Sequence, residues 1–523
     1  MADRKFDPAQ VEVWRHLMAS VADEMGATLE RTAYSPNIKE RLDHSCAIFD
    51  SAGRLLAQAA HIPVHLGAMP LMLQTLRHTL KWPAGTMWLC NDPRRGGTHL
   101  PDLTLVAPVR DGRRLLGFVA SRAHHADIGG LSPGSLPLST ELFHEGLVLS
   151  PIRLVERGKL RPDVLDLVCA NSRTPHERRG DIAAQIAANE IGIRRMRDLV
   201  HRHGYPEFRK RAAESIAYAA EMIRRALAAL PAGEYAASDV LDGDASGERV
   251  IRVRITIAPQ EDAVFDFTGT SPQAHGSLNA TEAITRSACY YVVRCLVGEE
   301  VPTNEGCFAP LTVIAPEGTV VNARFPAAVA AGNVETSQRI VDVVIAALAQ
   351  AAPDRLPACS QGTMNNLTIG GFDTVRQRAF AYYETIAGGA GASPESSGAS
   401  GIQTHMTNTR NTPVESLESH YPLRVLEYRI NRGTGGRGLH SGGDGVVRSI
   451  QLLGSAQVTL ISERRNHPPP GAAGGDPGTV GSASVQFPDG ETREMPGKWS
   501  ESLPAGAVVT VRTPGGGGWG EVV

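Results

Sequence analysis

Beyond about residue 385 the chain runs through A-G-G-A-G-A-S (387–393), R-G-T-G-G-R-G (432–438), S-G-G-D-G (441–445) and P-G-G-G-G-W-G (514–520). Glycine is costly inside a helix and at home in turns. Helical patterns vanish here, and the runs V-V-R-S-I-Q-L-L and A-V-V-T-V-R-T between turns predict an all-β part. G-T-G-G-R-G matches the dinucleotide fingerprint letter by letter, but no helical pattern follows it, and no P-loop occurs in the chain. The terminal glycine run reads as a hinge with Trp519 docked on a neighbouring surface.

The preceding sequence is different. Asp7, Pro8 and Gln10 form a helix start, after which Trp14, Leu17, Met18, Val21, Met25 and Leu29 recur at helical spacing. From Asp181 the pattern is helical to Gly204, and a second helix follows from Pro206. I-R-V-R-I-T-I (251–257) and A-V-F-D-F (263–267) predict a β pair, and residues 281–297 and 335–350 predict helices. Between residues 40 and 130, short apolar runs such as L-T-L-V-A-P-V and L-L-G-F-V-A alternate with polar, turn-rich segments. The expected class is α+β, in three regions: a helix and β-rich region over 1–180, a helical and mixed middle over 181–385, and the glycine-rich β region over 386–523.

Charge is nearly balanced, with 52 Lys+Arg against 55 Asp+Glu, so no electrostatic footprint points to nucleic acid or an anionic membrane. The seven cysteines are scattered and never spaced C-x-x-C, as expected of a chain in a reducing cytoplasm. No run of about 18 apolar residues predicts a membrane span.

Eight of the 17 histidines fall between residues 41 and 145, in R-L-D-H-S-C (41–46), H-I-P-V-H-L-G (61–67), N-D-P-R-R-G-G-T-H-L-P-D (91–102), S-R-A-H-H-A-D-I-G-G (121–130) and F-H-E-G (143–146), with His78 between them. Imidazole plus carboxylate suits Zn, Mn or Fe, and a strand end offers rigid support beside an open loop. In an extended chain His125 and Asp127 share a face, whereas a turn brings His124 and Asp127 together. A third ligand must come from elsewhere, and His144 is the nearest donor.

In order along the chain, D-H-S-C-A-I-F-D, H-I-P-V-H-L-G-A-M, N-D-P-R-R-G-G-T-H-L-P-D, A-H-H-A-D-I-G-G-L-S-P-G-S, N-S-R-T-P-H-E-R-R-G-D-I-A-A-Q, V-P-T-N-E-G-C, A-G-N-V-E-T-S-Q-R-I and T-P-G-G-G-G-W-G resemble the hydantoinase B/5-oxoprolinase family. The family takes in the B-type chains of ATP-dependent hydantoinases and lactamases, part of 5-oxoprolinase, and the alpha-type chains of ketone carboxylases. The resemblance implies a catalytic subunit that hydrolyses a cyclic amide, with ATP and Mg bound by a hydantoinase A-type partner of actin-like fold. It implies a divalent metal held by His124 and Asp127 of an H-x-x-D element, with His144 as third ligand, at a position where the family often carries Glu. His125, His99 and Asp102 are the expected proton-handling residues, and Asp43, Asn91 and Asp92 the expected substrate contacts. A ketone carboxylase subunit and a non-catalytic scaffold are the alternatives.

Overall fold

A computed structural model of the chain describes residues 7–59, 62–244, 247–258, 262–298 and 301–522. His61, one of the clustered histidines, lies outside the described residues. The fold is α+β.

The first helix, Pro8–Thr32, starts where the sequence places it, with the Asp7 carboxylate accepting from the Ala9 N–H. Its buried face, including Trp14, Met18, Val21, Met25 and Leu29, packs with Pro175–His203 against one side of an antiparallel seven-stranded sheet. The sheet order is Leu55–Gln58, His44–Asp50, Arg114–His124, Asp102–Asp111, Met87–Cys90, Ile152–Glu156 and Lys159–Leu160. Its other side, with Ala47, Phe49, Val106, Phe118 and Ala120, joins a core shared with helices His65–Thr79 and Glu282–Val297. Burial on both faces explains why these strands read as continuous apolar runs rather than alternating ones.

Helix His65–Thr79 interrupts the stretch expected to be β-rich. It contains Pro70, which argues locally against a helix, but Met69, Met72, Leu73 and Leu76 bury a continuous stripe that outweighs the lost bond. Helix Pro175–His203 begins six residues before the expected Asp181 and stops at Gly204, whose φ is +84°. The middle pair forms as expected: Gly247–Ile257 and Ala263–Asp266 are antiparallel in a second, four-stranded sheet.

Two further sheets share a third core. One contains Arg378–Thr385, Asn366–Asp373, Ala456–Ile461 and Lys498–Leu503, so strands on both sides of residue 385 are paired. The other contains Leu423–Asn431, Gly445–Leu452, Val508–Arg512, Ser482–Gln486 and Thr492–Met495. The glycine-rich part is β apart from one short helix, Val414–His420. Its glycines pack backbone on backbone: a Cβ on Gly515 would lie 1.9 Å from the Thr434 carbonyl oxygen, and one on Gly516 would lie 2.0 Å from that of Ala390. Gly443 N–H donates to Ala390, Gly516 to Gly443 and Gly517 to Cys359, at 2.8–2.9 Å.

Candidate metal centre

Strands Asp102–Asp111 and Arg114–His124 form one hairpin, and their register sets Asp102 directly opposite His124. His99 reaches the same point from the turn before the first strand, where the Asp102 N–H donates to its carbonyl oxygen. Among the described residues these three are the group of His, Cys, Asp or Glu whose ligand-type atoms converge. Asp102 Oδ1 lies 3.3 Å from His99 Nε2 and 3.4 Å from His124 Nδ1, and the two ring nitrogens are 3.2 Å apart. Corners of a tetrahedron with metal–ligand distances of about 2.0–2.1 Å are spaced by roughly 3.3 Å, so the triangle matches one face of such a coordination sphere. The donor set, two imidazoles and a carboxylate, suits Zn, Mn or Fe. His124 Nε2, buried, has no hydrogen-bond partner among the described residues.

The surroundings fix these groups. His99 Nδ1 faces the Ala330 carbonyl at 3.4 Å, which makes Nδ1 the protonated nitrogen and leaves the Nε2 lone pair facing the triad. Asp102 Oδ2 accepts from the Thr98 hydroxyl and lies 3.3 Å from His65 Nε2, while the Ser45 hydroxyl holds His65 Nδ1 at 2.8 Å. Asn333 Nδ2 stands 3.1 Å from His99 Nε2, and the Tyr383 ring stacks on His124 with centroids 4.7 Å apart. Burial opposes a proton on His99, but the Asp102 carboxylate prevails and raises its pKa. Burial also opposes charge on Asp102, yet the histidines around it, His99 foremost, hold it well below the usual carboxylate range. At His65 and His124 burial dominates and favours the neutral ring. The cavity that Asp102 and His124 line is small, about 20 Å³, and is lined also by Asp43, Val334 and Met406.

A profile of the hydantoinase B/oxoprolinase family matches residues 7–522. The chain belongs to that family. It is 40% identical to 5-oxoprolinase 1 of Arabidopsis thaliana over 99% of its own length and 42% of the plant protein, so it spans about two fifths of that relative. It is 31% identical to a protein of a Pseudomonas strain named as the putative B-type subunit of a D-/L-hydantoinase, over 99% of this chain and 90% of the relative. The solved structure of the ATP-dependent caprolactamase of Pseudomonas jessenii superposes with a TM-score of 0.92 at 26% identity, covering 99% of this chain and 92% of that one. Acetone carboxylase shares the fold, with a TM-score of 0.91 at 17% identity over 99% of this chain and 76% of that one.

In this hydantoinase B-type chain the expected ligand set is divided. His124 belongs to the triad, but Asp127 and His144 are not among its converging atoms. The strand ends at His124, and Asp127 sits in the following turn, where its carboxylate accepts from the N–H groups of Gly129, Gly134 and Arg173 and pairs with the Arg173 guanidinium at 3.0 Å. It clamps a turn and has no free oxygen for an ion. His144 is partly exposed and pairs with Glu141 at 3.2 Å. The H-x-x-D element whose carboxylate meets the histidines is His99–Asp102, one strand earlier, which makes two of the three expected proton-handling residues candidate ligands.

Strand alternation points His125 to the opposite side, where its Nε2 lies 3.0 Å from Gln185 of helix Pro175–His203. Burial, then the Arg178 charge, depress its pKa to about 3, so it stays neutral. Asn91 spends its amide on the carbonyls of Leu100 and Leu147 and on the Leu149 N–H, and Asp92 caps Pro93–Arg95 and pairs with Arg94. Neither is left to contact substrate. Asp43 does line the cavity at the triad. Thr98, Asn333 and Tyr383 were not legible as site residues, although Asn333 lies in the motif A-G-N-V-E-T-S-Q-R-I, whose residues Gly332–Thr336 form a π-helical turn.

One consequence concerns Asp127. Asp127→Ala should lower the melting temperature, since it leaves several buried N–H donors unsatisfied and takes from Arg173 its carboxylate partner, at a cost of about 2–3 kcal/mol. Metal content per folded chain should not change. Loss of metal with unchanged melting would return Asp127 to the ligand set.

Proposed function

We propose that the chain is the B-type catalytic part of an ATP-dependent hydrolase for cyclic amides, working with a hydantoinase A-type partner that binds ATP and Mg. The observation that carries this reading is the buried triad His99, Asp102 and His124 in a chain of this family, closely superposable on a caprolactamase. An amide carbonyl is a poor electrophile, and a five- to seven-membered ring gives little strain to drive opening. Phosphorylation of the carbonyl oxygen in the partner would create a leaving group, and attack by water would follow in this chain.

The triad residues would hold a divalent ion, which when bound supplies Lewis acidity towards oxygen ligands. Thr98 and His65 fix the second Asp102 oxygen, so the carboxylate presents Oδ1 inward. The Ala330 carbonyl holds the His99 tautomer, and Tyr383 keeps the His124 ring from turning. The surrounding core excludes bulk water, which strengthens every electrostatic interaction inside. A non-catalytic scaffold would have no use for such a constellation. The likeness to acetone carboxylase, at 17% identity, carries no reaction.

The test is metal analysis and turnover of the complex co-purified with its A-type partner, screened with 5-oxoproline, hydantoins, lactams and ketones. Expected are about one divalent ion per chain, ATP-dependent opening of one cyclic amide class, and no Mg-ATP binding by this chain alone. Carboxylation of a ketone, or ring opening by either chain without ATP, would overturn the reading.

A further inference from the structure

The space at the triad admits an ion or a water, but no ring. A far larger cavity, about 670 Å³, lies where the three regions of the chain meet, and its size is that of a small-molecule site. Leu138 and Ser139 contribute from the first region, Ser277 and Leu278 from the middle, and Arg465 and Lys498 from the last. The π-helical turn Gly332–Thr336 stands between the two spaces. Its Gly332 N–H donates to the Ser277 carbonyl and its Thr336 hydroxyl to the Leu278 carbonyl on the large side, while Asn333 and Val334 line the small one. A second link runs from the Ser139 hydroxyl to Glu145 Oε1, which also accepts from the Ala330 N–H, and Ala330 holds His99 through its carbonyl.

The charged groups of the cavity wall differ in their partners. Lys498 is neutralised by Glu463 at 2.6 Å. Asp242 accepts from the Arg465 and Asn466 N–H groups, and Asp244 from that of Gly276. The Arg465 guanidinium, by contrast, has only neutral acceptors among the described residues: Ser462 Oγ at 2.9 Å, the Arg512 carbonyl at 3.1 Å and Asn365 Oδ1 at 3.1 Å. These use three of its five N–H groups. Room for it is made by two glycines of the wall, since a Cβ on Gly481 would lie 2.2 Å from Arg465 Nη1 and one on Gly497 2.7 Å from its Cγ. A planar cation held in place, lining a cavity of ligand size, with no carboxylate among its hydrogen-bond partners although those of Glu335, Asp242 and Glu463 lie near enough to stabilise its charge, can anchor an anion through its two remaining N–H groups.

We propose that this cavity is a subsite for a compact oxyanion, a carboxylate or a phosphoryl group carried by the cyclic amide, with Arg465 as its anchor. The identity of the ring rests on the functional reading above, whereas the anion site stands on Arg465 and the cavity alone.

Binding to the full chain, followed by calorimetry, separates the possibilities. The titrants are 5-oxoproline, 2-pyrrolidinone, which is the same ring without the carboxylate, and inorganic phosphate. At least one of the two anions should bind, with 2-pyrrolidinone about tenfold weaker or worse. Binding of 5-oxoproline without phosphate identifies the ring carboxylate as the source, and the reverse identifies the phosphoryl group. Arg465→Gln should lose about tenfold or more, and Arg465→Lys should recover part of that loss. Gly481→Ala, which displaces the guanidinium without removing it, should lose as well and carries the test if Arg465→Gln does not fold. Metal content of Arg465→Gln should stay at the wild-type value, so failure of the metal reading and failure of this one are distinguishable. Equal binding of the anions by wild type and a folded Arg465→Gln chain, or no binding of either anion, would overturn the proposal.

Discussion

Asp102→Ala is expected to release the metal and to abolish turnover of the assembled enzyme. Asp102 is the carboxylate in direct contact with three histidines, and its Oδ1 is shared between His99 and His124. Removing it leaves two imidazoles with no negative ligand, and metal content should fall from about one ion per chain to about a tenth or less. A Lewis acid supplies several kcal/mol to a transition state, so kcat should drop by about a thousandfold or more. Asp102→Asn keeps the shape and should fold, yet should fail in the same way. His65→Ala and Thr98→Val act only through the carboxylate's other oxygen, and each should weaken metal affinity by about 10–100-fold. Metal analysis of dialysed protein with single-turnover kinetics decides the matter, and full occupancy in Asp102→Ala would remove the triad from consideration.

Gly332→Ala should be as damaging, for a steric reason. An added Cβ would lie 1.8 Å from the Asn279 carbonyl oxygen and 2.6 Å from the Ala280 nitrogen. That backbone cannot retreat easily, because the Asn279 side chain ties its loop to Ala274, Gly276 and Ala328 at 2.7–3.0 Å. Relief has to come from moving the π-helical turn, which carries Asn333 away from His99. A loss of about 3 kcal/mol or more is expected, with weakened metal affinity in whatever folds. Gly454→Ala, where a Cβ meets nothing within 4 Å, is the control and should melt as wild type does. Equal melting temperatures for the two variants would show that the turn yields without consequence.

The hairpin that builds the site shows how far the amino-acid sequence could lead. Both strands, their apolar runs and the helices outside them follow from periodicity, and the histidine clusters mark the right end of the sheet. The pairing does not follow. At the tight end Asp111 faces Arg114, and carrying that register down the hairpin would set Ala123 opposite Asp102. A bulge between Val109 and Arg110 shifts the pairing by one residue and brings His124 there instead. The same spacing H-x-x-D occurs twice, at 99–102 and 124–127, and only three-dimensional pairing tells the carboxylate that meets the histidines from the turn clamp. Asn333 and Tyr383 come from segments more than 200 residues downstream, and a single sequence gives no sign that they return to this point. Nor was the place of His65 at the head of a helix containing Pro70 legible.

The glycine packing of the last region has a consequence for how the chain reaches this state. Segments around Cys359, Ala390, 434–443 and Gly516 are far apart along the chain, yet each supplies a donor or acceptor that another segment requires. Glycine surrenders the most backbone freedom on becoming fixed, and most of these contacts join backbone to backbone, with little side-chain burial to reward an early encounter. Loop closure must therefore precede nearly all of the gain, which is the signature of a slow, late and cooperative step in folding. Arg464 and Arg465, from the same part of the chain, become fixed against the middle region through Asp239, Asp342 and Asp242. The wall of the large cavity is thus finished only when the assembly reaches its last stage, and a chain stalled before it would carry the His99, Asp102 and His124 triad beside an unbuilt cavity.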